Sequence, residues 1–280
     1  MMARRADEAA ERLLEAAREA FDRGELATAA RAARKALRHA SGASPELRAR
    51  LRGEALLTLG WILTEQYEDD EALACFAGAR EAGFEPGEAQ YGEACLRLDR
   101  WELDEAEHLL RTGDFPEQRR GAVRYQQAIL AELRGRNDEA ESLYAEAERL
   151  DPQGCPRPVR MSAEEVHALL EEVLASLPAE VQAALDNVVI EIAEIPDPGL
   201  TISREHDPQV LGFYRGVPLP EKTLSEGAVL PDRIQIFKRN IERLAADRRE
   251  LTEELRTTLF HEIGHHLGWD EEDLEARGLG

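Results

Sequence analysis

Small residues return through the first half of this chain with one fixed period. Ala72, Ala106 and Ala140 stand 34 residues apart, and each has companions at constant offsets: Gly60, Ala94 and Ala128 twelve residues before, Phe76, Leu110 and Tyr144 four after, Ala79 and Ala147 seven after. A recurrence of this length marks a supersecondary unit that cannot bury its apolar face alone and must lay it against the next copy. The small side chains fall where paired helices approach closely. Residues 1–153 are therefore expected to form an all-α helical array.

The period resembles that of tetratricopeptide repeats. The best copies run from Gly60 to Ala79, around Tyr67-Glu-Asp-Asp-Glu-Ala72, and from Ala128 to Pro152, around Gly135-Arg-Asn-Asp-Glu-Ala140. Ala9 to Ala40, with a turn at Gly24, reads as a diverged first unit set off by Ser41-Gly-Ala-Ser-Pro45. The second half of the third copy is degraded, with Gly113 where Ala is expected and Pro116 nearby, so three to four repeats are expected. Such stacks present a concave groove, and the resemblance implies recruitment of a peptide or protein partner there. A mere spacer is the plainer alternative.

Asp151-Pro-Gln-Gly-Cys-Pro-Arg-Pro158 then breaks the pattern as a Pro/Gly-rich turn. It places a linker at 154–160 and a second domain at 161–280, each half long enough to bury a core. Ser162 and Glu165 form a capping box ahead of an apolar stripe at Val166, Leu169, Leu170, Val173 and Leu174, which predicts a helix to Leu177. Residues 188–195, 210–215 and 233–238 read as strands, and helices follow them. Helix, strands and helices in that order give an α+β domain.

The densest chemistry lies near the end, in His261-Glu262-Ile263-Gly264-His265-His266-Leu267-Gly268-Trp269-Asp270-Glu271. Leu251, Leu255, Thr258, Leu259 and Glu262 recur at helical spacing, so the run lies on an amphipathic helix. His261 and His265, four apart, share one face, which lets two imidazoles close on one zinc at roughly 2.0–2.1 Å. Glu262 is badly placed to ligate beside His261 but well placed to take a proton from a zinc-bound water and pass it to a leaving amine. His266 points off the ligand face and reads as a packing or ligand-supporting residue. Gly268 can take positive φ and stop the helix, turning Glu271 back toward the open side of the metal. The acids Asp270 to Asp273 otherwise read as a solvated helix start, but two His alone do not make a protein zinc site, so one acid is required. With no methionine after Met161 and fifteen residues after His265, neither a Met-turn nor a ligand from a distant second helix is expected.

Residues 211–279 resemble the small bacterial zincin-like, or minimal, metallopeptidases. The resemblance rests on three blocks in order: Gly212-Phe-Tyr-Arg-Gly216-Val-Pro218-Leu, Leu230-Pro-Asp-Arg-Ile-Gln-Ile-Phe237, and the HEIGHHLGWDEEDLE run. It implies a short α+β domain with zinc (Zn2+) held by His261, His265 and an acid after Gly268, and Glu262 as general base. The family's third ligand is usually Asp. Here Glu271 holds that position and Asp270 precedes it, so Glu271 is the expected ligand and Asp270 the alternative. Zincins bind peptide as an extra strand on a sheet edge beside the active-site helix. Residues 212–215 or 233–238 would supply that edge, and Tyr214 or Arg215 would stabilise the oxyanion.

A net charge of −22 opposes binding of nucleic acid or an anionic membrane. The charged amphipathic start and the lack of an apolar run of roughly 20 residues lead to the expectation of a cytoplasmic chain. Cys75, Cys95 and Cys155, odd in number and scattered, suggest buried thiols. Two functions follow: a zinc metallopeptidase of the HExxHxxGxxE type with a recruiting repeat domain, or a non-catalytic interaction scaffold with a vestigial or structural metal site. Glu262 favours the first, because a structural site has no use for a general base.

Overall fold

The computed structural model describes residues 2–198, 208–222 and 231–276, apart from the side chains of residues 2, 3, 271, 274 and 275. The chain divides into two compact units, Met1–Cys155 and Pro156–Gly280. The first is all helical. Its elements are α1 (Met2–Asp22), α2 (Leu26–Ala40), α3 (Pro45–Glu65), α4 (Asp69–Glu81), α5 (Pro86–Asp99), α6 (Leu103–Thr112), α7 (Arg120–Leu133) and α8 (Asn137–Leu150), each packed on its successor.

The periodic residues form the seams of this array. Ala72, Ala79, Ala94, Ala106, Ala128, Ala140 and Ala147 are all fully buried, as are Phe76 and Tyr144. Phe76 explains why Gly60 has no side chain: a Cβ there would stand 2.7 Å from the ring, and one at Gly92 on α5 would stand 2.6 Å from the same ring. Trp61 closes the pocket edge-on, its ring centre 5.2 Å from that of Phe76. A ring enclosed in this way cannot step aside. Gly60→Ala should therefore destabilise the first unit by about 1–3 kcal/mol through overpacking, read as a lower midpoint in thermal unfolding; an unchanged midpoint would mean that α3 and α4 separate freely.

The turns repeat as strictly as the seams. Tyr67, Trp101 and Gly135, again 34 apart, all take left-handed backbone, with φ of 58°, 60° and 70°. In each turn the next N–H reaches back five residues, Glu68 to Leu63, Glu102 to Arg97 and Arg136 to Ala131, satisfying a helix-end carbonyl. Arg100 to Asp70 and Arg134 to Asp104 repeat one ion pair between successive helix pairs. The third copy departs as its sequence suggests: α6 stops at Thr112, and Gly113 is extended. Burial pushes the Cys75 thiol up to about 11 and the Cys95 thiol to about 12, so both stay protonated at neutral pH.

The second unit is α+β. It comprises α9 (Ala163–Ser176), α10 (Ala179–Ala184), β1 (Val188–Ala193), β2 (Gly212–Arg215), β3 (Asp232–Phe237), α11 (Lys238–Leu244), α12 (Arg248–Leu267) and α13 (Glu271–Ala276). The Ser162 capping box is formed, with the Ser162 hydroxyl accepting from Glu165 N–H and the Glu165 carboxylate accepting from Ser162 N–H. The sheet order is β1-β3-β2, with β1 parallel and β2 antiparallel to β3. Ile234 and Ile236 meet Val166, Leu170 and Val173 of α9 and Leu251, Leu255, Leu259 and Ile263 of α12 in one core. The opposite face carries Val189, Glu191 and Arg233, with Arg233 paired to Glu191 at 3.0 Å.

The structure overturns one strand expectation. Residues 233–238 cannot offer a free edge, because β3 is the central strand and its ladder groups are taken by β1 on one side and β2 on the other. The strand also ends at Phe237, where Lys238 begins α11. Among the described residues β2 is an edge strand, and α12 packs against it. No helix among the described residues is long and apolar enough to cross a membrane.

Candidate metal centre

Helix α12 is defined at both ends by local chemistry. Asp247 accepts a hydrogen bond from Glu250 N–H at 2.8 Å to start it, and Gly268 ends it with φ of +85°. Gly268 is required twice over, since a Cβ there would also stand 2.7 Å from the Pro220 ring. Over its last turns the helix presents two faces. His261 and His265 lie half-buried on one, with Nε2 atoms 2.9 Å apart and rings edge-on at 4.6 Å. Glu262 and His266, also four apart, lie buried on the other.

Two Nε2 atoms aimed at one point form a donor set that fits zinc. In a tetrahedral shell with Zn–N of roughly 2.0–2.1 Å the two nitrogens stand about 3.3 Å apart, so a few tenths of an ångström of ring movement turns the observed contact into a chelating pair. Glu262 is 6% exposed and lies against the backbone of β2: a Cβ at Gly212 would meet its Cγ and Oε1 at 2.9 Å. The bare Gly212 lets strand and helix close on this carboxylate.

The acids are placed less fully. Asp270 is exposed and its Oδ1 accepts from Asp273 N–H at 2.9 Å, capping α13. Glu271 is the first residue of α13, and its side chain lies outside the described residues. Among the described residues no three His, Cys, Asp or Glu side chains gather as a metal site. Arg215 is exposed. The Tyr214 hydroxyl is engaged with Asp232, to which it donates at 3.1 Å, so it does not serve as an oxyanion donor in this arrangement.

That bond belongs to a cluster that the sequence reading did not single out. Asp232, 3% exposed, also receives the Lys222 ammonium at 2.6 Å, and His266 Nδ1 stands 3.1 Å from the same Oδ2. His266 is fully buried; its Nε2 donates to Ala184 O at 3.0 Å, and its Nδ1 is 3.2 Å from the Tyr214 hydroxyl. Burial alone would raise the Asp232 carboxyl, but Lys222, Tyr214 and His266 hold it below the usual carboxylate range. Burial and the Asp232 charge push the Tyr214 hydroxyl up. A signal was present: strand alternation puts Asp232 on the face of Ile234 and Ile236, and a carboxylate in register with core isoleucines must find partners.

Residues 185–279 match the family profile of zincin-like metallopeptidases. This zincin-like segment runs from just before β1 through α13 and leaves α9, which completes the same core, outside it. No curated protein matches the chain.

Proposed function

We propose that the second unit is a zinc-dependent peptidase, with His261, His265 and Glu271 as metal ligands, Asp270 as the alternative third ligand, and Glu262 as general base. The observation that carries this reading is the convergence of two imidazole Nε2 atoms on one helix face, one residue from a buried carboxylate. Bound zinc supplies Lewis acidity and a water whose pKa falls to about 7. Glu262 takes a proton at its carboxylate and returns it to the leaving amine. Gly212 keeps Glu262 close to β2, and a peptide backbone is taken up as an added strand beside β2. The first unit recruits a peptide or protein through its stacked helices, in the manner of tetratricopeptide arrays.

The test is elemental analysis of purified wild-type, Glu271→Ala and Asp270→Ala protein. One zinc per chain is expected in the wild type, with loss in Glu271→Ala and retention in Asp270→Ala. The reverse pattern would make Asp270 the third ligand. A wild type that takes up no zinc would transfer the case to an interaction scaffold.

A further inference from the structure

The residues behind the two histidines hold helix and edge strand in one register. Glu262 and His266 are four apart on α12, about 6 Å along a helix rising 1.5 Å per residue. Gly212 and Tyr214 are two apart on β2, about 6.7 Å along a strand. The two pairs meet one to one: Glu262 lies against Gly212, and His266 Nδ1 faces the Tyr214 hydroxyl. Strand and helix therefore run side by side in the same direction here, touching at two matched points. The first point is a packing contact of the carboxylate on bare backbone. The second is tied down.

What ties it is Asp232. Its Oδ2 gathers the Tyr214 hydroxyl from β2, the Lys222 ammonium from the segment after β2, and His266 from α12. The opposite side of the His266 ring is held by Ala184 O at the end of α10. A ring bonded through both nitrogens cannot rotate without losing a bond, and it sits one residue from His265. Gly216 leaves the carboxylate its room, since a Cβ there would stand 2.5 Å from Asp232 Oδ1 and the Tyr214 hydroxyl.

We infer that Asp232 is a positioning residue: through Tyr214 and His266 it sets the register of β2 against α12, and so places the His261–His265 pair and Glu262 relative to the strand. It touches neither substrate nor reacting atoms. The inference rests on the proposed zinc site, and its test separates the two.

The experiment uses the full chain with cobalt(II) in place of zinc, reading the visible absorption spectrum, metal affinity by chelator competition, and the metal-free unfolding midpoint. Asp232→Asn keeps the shape of the side chain; Tyr214→Phe removes one hydroxyl and guards against a variant that fails to fold. Both should alter the cobalt bands and weaken binding, Asp232→Asn by about tenfold, the lower end of what residues supporting a metal ligand contribute. Val173→Ala on α9, in the same core, should lower the midpoint and leave the cobalt spectrum as in wild type. Wild-type spectra and affinity in both hub variants would overturn the inference while leaving the zinc reading intact. A wild type that binds no cobalt or zinc would overturn both.

Discussion

Glu262→Gln should keep its zinc and lose hydrolysis of unstructured peptides by about 10²–10⁴-fold, the usual worth of a positioned acid–base group. Glutamine preserves the size of the side chain, so the contact with Gly212 and the helix packing survive. It has no basic carboxylate to accept a proton. His265→Ala provides the contrast, because removal of one of two converging nitrogens should abolish metal binding along with activity. The pair separates a proton-transfer role from a ligand role by elemental analysis beside a peptide-cleavage assay. Cleavage by Glu262→Gln at the wild-type rate would assign the activity to another base or to a contaminant.

The second large effect concerns stability. Glu242 is fully buried on α11, and its carboxylate accepts from Met161 N–H at 2.9 Å, Arg160 Nη1 at 2.7 Å and Lys238 Nζ at 3.1 Å. Its own carbonyl accepts from Val159 N–H at 3.2 Å. One residue thus stitches the strand of chain entering α9 onto the core. Glu242→Ala leaves the Lys238 ammonium, its side chain 8% exposed, with the solvent-facing Glu194 at 3.4 Å, and strips the buried Met161 N–H of its acceptor. Breaking a buried pair in this way costs about 3–5 kcal/mol. Urea unfolding should show the second unit melting at markedly lower denaturant; a shift worth under about 1 kcal/mol would mean that water reaches the site and replaces the carboxylate.

How far the candidate site was legible depends on the distance over which each feature is set. The His261–Glu262–His265 constellation is local, because helix geometry alone puts residues four apart on one face. Gly268 was legible for the same reason, since a positive φ at a helix end is a property of one residue and its neighbours. Which strand has a free edge was not legible. Residues 212–215 and 233–238 have similar strand character, and only the pairing of β3 with both β1 and β2 removes it from the edge. Tyr214 reads as a free hydroxyl in sequence, yet it is occupied by Asp232 from a strand eighteen residues later.

The first unit shows the same division. Its sequence alone determined the spacing of close helix contacts, because a residue enclosed between two helices must be small in every copy. The left-handed turns at Tyr67 and Trp101 were beyond it, for neither residue favours that backbone and Tyr67 is 89% exposed, held by no packing. The conformation goes with the array: in each copy it lets the N–H of the next residue close the preceding helix. In the second unit the sequence by itself determined the helix that carries His261 and His265, its ends and its candidate base. Only the tertiary structure decided that Gly212 faces Glu262 and that Asp232 joins Tyr214, Lys222 and His266, because those contacts link residues far apart in the chain, whose meeting depends on burying the shared apolar face of sheet and helices.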